Sequence, residues 1–280
     1  MTPYVMSIPE WHGHPAYVAP KLMLIHKITG PAGMLMVDAG GRGDQPVVFA
    51  HSLAGNSRHW QFQLDHLRTN RQAVGFDFRG HGRSSTAADD DYSISGMAAD
   101  IAAVVDTFGF DHFVLVGHSM GAGAALLYAA AHPARVAGLL LVDPIGDGKQ
   151  ISAAEAHSFM AGFESNYDNA SRNYWTQIAG PDNTVQNRLL ADLRATPPEV
   201  VVAVLRSVMR FDPDPALARY QGPMLSVVTP NNDQPFSLHR LGKGFPHQVV
   251  SGTGHWIQLD RPDELNRQLD EFLDTVSGKR

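Results

Sequence analysis

An α/β fold is the class the sequence predicts: a mainly parallel sheet flanked by helices, with a helical cap laid over one edge. Three observations carry it. Short β-branched apolar runs alternate with segments of helical period, the pattern of buried parallel strands joined by crossover helices. Between residues 145 and 215 the strand-like runs stop and only helical segments follow one another. A strand then runs into a small-residue helix through "VLVGHSMGAGA", where a serine stands between two glycines.

Taken in order, residues 1–20 are rich in Pro, His and aromatic side chains without a sustained period, and read as an N-terminal arm. "KLMLIHKIT" and "AGMLMVDAGG", separated by Gly30-Pro-Ala-Gly33, read as an antiparallel hairpin. "PVVFAHS" is a short buried strand. "HWQFQLDHLRT" carries Trp60, Leu64 and Leu67 at helical spacing and leads to the strand and glycine-punctuated loop of "RQAVGFDFRGHGRSS". Met97, Ile101, Val104, Val105 and Phe108 form the next helical stripe, closed by Gly109; the strands "HFVLVG" and "VAGLLLVDP" flank a helix that begins near Ser119. The sheet resumes with "GPMLSVVT" and "HQVVSG", and a last helix carries Leu265, Leu269, Phe272 and Leu273. The expected domains are therefore an arm at 1–20, a core in two parts at 21–144 and 216–280, and a cap at 145–215.

Composition narrows the function classes. Lys and Arg total 22 against 28 Asp and Glu, a formal charge of −6, with no long basic run. That disfavours a non-specific nucleic-acid binder, which must neutralise phosphates. The chain has no cysteine, so disulfides, thiolate catalysis and Cys-ligated metals are excluded. The opening residues do not read as a signal peptide, and no apolar run reaches the roughly 18 residues of a membrane helix. A cytoplasmic protein without membrane insertion, acting on a small molecule, is expected. His12, His14 and His26 come without a carboxylate pattern, so no metal site is expected there, and the hydrolytic chemistry set out below requires no cofactor.

The chemistry centres on Gly117-His118-Ser119-Met120-Gly121. This is G-x-S-x-G, a strand-to-helix turn that exposes the serine hydroxyl. A serine hydroxyl needs a base to take its proton. His255, in a glycine-rich loop between the last strand and the last helix, is the candidate base. The acid that orients the imidazole is expected at Asp233, after the penultimate strand, with Asp143 at the end of "GLLLVDP" as the rival. An oxyanion needs preorganised donors; the backbone N–H groups of Met120 and Leu53 are the candidates.

"VVFAHSLAGNSRHW", "VGFDFRGHGRSS", "LVGHSMGAGAAL", "LLLVDP" and "GTGHW", in this order, resemble the α/β-hydrolase superfamily. The resemblance implies a serine-nucleophile, esterase-like member with a helical cap. It assigns Ser119 as nucleophile, Asp233 as acid and His255 as base, with Leu53 and Met120 framing the oxyanion hole. His51-Ser52 stands where many members have His-Gly, which alters the backbone before Leu53. His51 and His118, like Asp77, His81 and Arg83, are expected to brace loops, and Asp65 and Asp100 to be solvated or capping.

The activity implied is hydrolysis of a small to medium carboxylic ester, or a lactone, through an acyl-serine intermediate. The alternatives are hydrolysis of a carbon-carbon bond in a vinylogous diketone, perhydrolase or haloperoxidase chemistry, and a non-catalytic binding protein on the same scaffold. Met160, Phe163, Trp175, Met209 and Phe211 are the expected lining of an apolar pocket between core and cap.

Overall fold

The computed structural model describes residues 4–5 and 24–278. Most of the arm, including His12 and His14, lies outside the described residues. Nine strands form one sheet in the order β1-β2-β3-β5-β4-β6-β7-β8-β9: β1 (Tyr4–Val5), β2 (Leu24–Thr29), β3 (Met34–Gly40), β4 (Asp44–Ala50), β5 (Arg71–Asp77), β6 (Phe113–His118), β7 (Val136–Val142), β8 (Met224–Val228) and β9 (His247–Val249). The first three pairings are antiparallel and every pair from β5 through β9 is parallel. Parallel pairing places the C-terminal ends of β4 to β9 along one edge, and β4 at the centre separates two crossovers. Such an edge is where an open α/β sheet offers a crevice.

Alternation along the strands fills two cores. Val47, Phe49, Val114 and Val116 face helix α1 (Gln61–Leu67) and the last helix (Pro262–Val276), whose Leu64, Leu67, Leu265 and Leu269 are buried against them. Val48, Ala50 and Leu115 face α2 (Ile94–Thr107) and α3 (Met120–Ala131). Ser93 caps α2 by accepting from the Gly96 N–H at 3.0 Å. Asp100 lies on the buried stripe of that helix and is fully buried, where its carboxylate takes Arg79 Nη2 at 2.7 Å and Nε at 3.0 Å. The expectation of a solvated or capping Asp100 is thus corrected: its spacing from Met97, Ile101 and Val104 turns it inward, and the guanidinium makes that burial tolerable.

The cap consists of α4 (Ala153–Ser165), α5 (Tyr167–Ile178), α6 (Asn183–Ala195) and α7 (Pro198–Val208), and the short α8 (Asp214–Arg219) that follows packs on α3. Ser152 and Glu155 close a reciprocal capping box at the start of α4. Polar ties lock cap to core. His59, fully buried, meets Asp192 of α6 at 2.9 Å, and the Ile94 N–H donates to Ser207 Oγ of α7 at 3.0 Å. No helix among the described residues is long and apolar enough to cross a membrane.

Candidate active site

Ser119 links β6 to α3 with φ 52° and ψ −116°, a conformation strained for a residue with a side chain. The turn is held from both sides. The Ser119 N–H donates to Val142 O at 3.1 Å, while Ser119 O accepts from Ala122 at 3.0 Å and Gly123 at 3.2 Å. The flanking glycines are required by approach distance. A Cβ at Gly117 would sit 2.6 Å from the Ala122 Cα, and one at Gly121 would strike the carbonyls of Ala50 and His51. The end of strand β4 therefore lies against the start of the helix.

His255 receives its carboxylate from Asp143, not from Asp233. Asp143 Oδ2 lies 2.6 Å from His255 Nδ1. Its other oxygen accepts from the Thr229 N–H at 2.7 Å and Thr229 Oγ1 at 3.1 Å, and the residue is only 2% exposed. With three donors on it, the carboxylate is fixed against the ring, and Nδ1 must carry the proton it shares. Nε2 is left with its lone pair and makes no hydrogen bond among the described residues.

Asp233, expected to be the acid, points elsewhere. Its Oδ1 takes His239 Nε2 at 2.9 Å and Arg240 Nε at 2.7 Å, and these donors hold its pKa below the usual carboxylate range. The physical reason lies in the chain after β8: residues 230–232 form a 3-10 turn and Leu238–Arg240 another, and the second presents His239 and Arg240 to Asp233. Asp143, at the tip of the neighbouring strand with φ 39°, is already under the imidazole.

The supporting histidines have both ring nitrogens engaged. His51 Nε2 accepts from the Phe78 N–H at 3.0 Å, so Nδ1 carries the proton and donates to Ser52 O at 2.7 Å. Burial lowers its pKa to about 3. His118 Nδ1 accepts from Gln258 Nε2 at 2.9 Å, leaving Nε2–H to donate to the His255 carbonyl at 2.8 Å. Burial, and then the nearby His255 ring, push its pKa well down. Asp77 accepts from the Ser57 N–H at 2.7 Å and from the Arg83 N–H at 3.0 Å, tying together two loops of the same edge. These groups brace; none has a free proton site facing Ser119. Gln258, Thr229 and the Ile178 carbonyl, which accepts the His255 N–H at 2.8 Å, complete the cradle. Sequence reasoning missed all three, although Thr229 directly ends "SVVT" and could have been read as a donor at a strand tip.

Leu53 and Met120 are both buried, and neither backbone N–H is used among the described loop and cap hydrogen bonds. Met120 opens α3, where the first N–H groups of a helix have no partner of their own. Ala54 follows at φ 53°, turning the chain sharply after Leu53.

A cavity of about 1070 Å³ opens onto Ser119, Asp143 and His255. Its lining is apolar at Ile145, Phe159, Tyr174, Ile178, Met209 and Phe236 and polar at Asn231, Asn232 and Gln234. Of the expected lining, Met209 is there. Met160, Phe163, Trp175 and Phe211 are instead buried in the apolar core that the cap shares with the sheet. The correction is one helical step: Phe159 and Tyr174 line the cavity while their neighbours Met160 and Trp175 turn into the core. Burial and then the charge of Asp143 raise the Tyr174 pKa, keeping that wall a neutral phenol.

The family described as alpha/beta hydrolase fold matches residues 45–196, more than half of the chain. The chain belongs to that family. Among curated relatives, the dihydrolipoyllysine-residue acetyltransferase component of an acetoin cleaving system from Pseudomonas putida is 28% identical over 84% of this hydrolase-fold chain. The chain spans 65% of that relative's length. A putative carbamate hydrolase, RutD, from Caulobacter vibrioides is also 28% identical, over 83% of this chain and 91% of its own. Among solved structures, Est816, described as an N-acyl homoserine lactone degrading enzyme, superposes with a TM-score of 0.78 at 26% identity, covering 88% of this chain and all of its own. An esterase from Exiguobacterium antarcticum, 19% identical with a TM-score of 0.78 over 89% of this chain and 98% of its own, shares the fold.

Proposed function

We propose that the protein is a serine hydrolase that cleaves small to medium, uncharged carboxylic esters or lactones through an acyl-serine intermediate. The observation that carries this is the 2.6 Å contact of Asp143 with His255 Nδ1, which leaves Nε2 as a base beside a cavity shared with the strained Ser119. In acylation, Ser119 Oγ adds to the substrate carbonyl carbon and its proton passes to His255 Nε2. The carbonyl oxygen becomes negative between the Leu53 and Met120 N–H groups. The carbon–oxygen bond to the leaving alcohol then breaks as the Nε2 proton moves to that oxygen. Water adds to the acyl ester with its proton again taken by Nε2, and collapse frees the acid as that proton returns to Ser119. Asp143 stays ionised throughout and stabilises the imidazolium in each half.

Electrostatics supports the choice of substrate. The described cavity wall contains Asp147 and Glu155 besides Asp143, and neither lysine nor arginine. A ring-cleavage dienoate brings a carboxylate of its own, which such a wall repels, so the carbon-carbon hydrolase reading has the weaker support. Relatives described as a carbamate hydrolase and a lactone-degrading enzyme support an acyl substrate of this kind.

The test is a screen of purified protein against p-nitrophenyl esters of graded chain length, lactones, carbamates and a ring-cleavage dienoate. Neutral esters or lactones should turn over with Ser119 trapped as an acyl adduct, and Ser119→Ala should lower kcat by roughly 10⁶, the scale seen when a triad serine is removed. Selective dienoate cleavage, or ester turnover that survives Ser119→Ala, refutes the proposal.

A further inference from the structure

Outside the cavity, one cluster of side chains has no part in the chemistry above. Asp233, His239 and His247 each offer one ligand atom, and these atoms all lie within 4.8 Å of one another. Asp233 stands just past β8, His239 lies in the following 3-10 turn and His247 opens β9, so the cluster ties both ends of the crossover between the last two strands. The two imidazoles stack with centroids 4.2 Å apart and planes at 26°. Stacking keeps their Nε2 atoms on the same side, towards Asp233 Oδ1: His239 Nε2 at 2.9 Å and His247 Nε2 at 3.9 Å.

We infer that these three residues form a binding site for a zinc-class divalent cation. Two imidazole nitrogens and one carboxylate oxygen are a ligand set that zinc accepts, with water in the fourth position. Ligands of a tetrahedral zinc at about 2.0–2.1 Å are about 3.4 Å apart. Drawing atoms within 4.8 Å to that spacing needs side-chain adjustment alone.

The position is already built for positive charge. Arg240 Nε at 2.7 Å and Nη2 at 2.6 Å sit on the same Oδ1 that the ion would bind. The Arg240 side chain is 45% exposed and can swing into solvent, whereas the His239 side chain has no exposed surface. A cation here replaces a guanidinium with a ligand that also engages His247, whose 3.9 Å separation from Oδ1 is too long for a hydrogen bond. The segment so fastened carries Asn231, Asn232, Gln234 and Phe236, which form one wall of the cavity. The site departs from the metal-free expectation of the sequence and stands independently of the hydrolase reading.

The test is calorimetric titration of the chelator-treated protein with ZnCl₂, with Co²⁺ absorption in the visible range as a second readout of four-coordinate ligation. One ion per chain at micromolar affinity is expected. His247→Ala, at a partly exposed position, should weaken binding at least about 100-fold, more than the loss of a residue that only supports a ligand costs, with circular dichroism to verify the fold. Arg240→Gln should tighten binding by removing the competing cation. Zinc should raise the Tm of the unmodified protein but not that of His247→Ala. Binding only at millimolar zinc overturns the assignment, as does binding that is unchanged by His247→Ala, since the ion would then sit elsewhere.

Discussion

Replacing Asp143 with asparagine tests the reading of the acid most directly, because the substitution keeps size and changes only the donor pattern. Two donors from Thr229 already point at Asp143 Oδ1, at 2.7 and 3.1 Å. In Asp143→Asn the amide oxygen would stay with those donors, which turns the NH₂ group towards His255 Nδ1. Two donors cannot share one contact of 2.6 Å, so the imidazole must move its proton to Nε2. The base then faces Ser119 already protonated. A wrong tautomer in a serine triad costs on the order of 10⁴ in kcat, or about 5.5 kcal/mol of transition-state stabilisation. The assay is steady-state kinetics on the best p-nitrophenyl ester in the presence of chelator, with circular dichroism to verify the fold. Asp233→Asn is the matched comparison. It removes contacts to His239 and to a half-exposed Arg240, and should change kcat by less than about 3-fold, since partly exposed ion pairs contribute little. A loss of about 10⁴ in Asp233→Asn, with Asp143→Asn within about 10-fold of the unmodified enzyme, refutes the reasoning.

Ser119→Gly should abolish turnover yet stabilise the fold by about 1 kcal/mol, because glycine relieves the backbone at φ 52°; a lower Tm than the parent would contradict stored strain. Phe159→Ala and Tyr174→Ala should shift preference towards longer acyl chains, whereas Trp175→Ala should cost roughly 3–5 kcal/mol of stability with little change in that preference. Acyl-chain profiles and chemical denaturation separate these outcomes, and a longer-chain preference in Trp175→Ala alone would restore the opposite helix face as the lining. Burial lowers the pKa of His51 to about 3 and of His81 to about 4, so the unfolded chain binds protons that the folded one refuses. Stability is then fully present above the unfolded value of about 6.5 and falls as pH drops through that value towards 4. Urea midpoints that stay constant from pH 7 to pH 5 would argue against neutral buried rings.

The layered architecture and the turn that carries Ser119 were legible in the sequence because each is encoded locally. Gly117-His118-Ser119-Met120-Gly121 carries its own reason for a turn, and the alternation of Val47, Phe49, Val114 and Val116 with Val48 and Leu115 specifies a sheet covered on both faces. His255 stands in the one histidine-bearing loop between the last strand and the last helix. Loop-bracing roles for His51, His118 and Asp77 were expected beside the resemblance to the family, and their hydrogen bonds agree.

Two choices belonged to the tertiary structure alone. Parallel strands β7 and β8 both end at the same edge, so Asp143 and Asp233 start as equals in any one-dimensional reading. What separates them is the path of the chain beyond β8, which hands Asp233 to His239 and Arg240 and leaves Asp143 beneath the imidazole. Likewise the cap helices have apolar residues on adjacent faces, and a period of 3.6 says which residues share a face but not which face meets the cavity. Packing of α4 and α5 against each other and against α6 and α7 decided that Phe159 and Tyr174 look into the cavity and Met160 and Trp175 into the core, because tertiary contacts set a helix's rotation about its own axis.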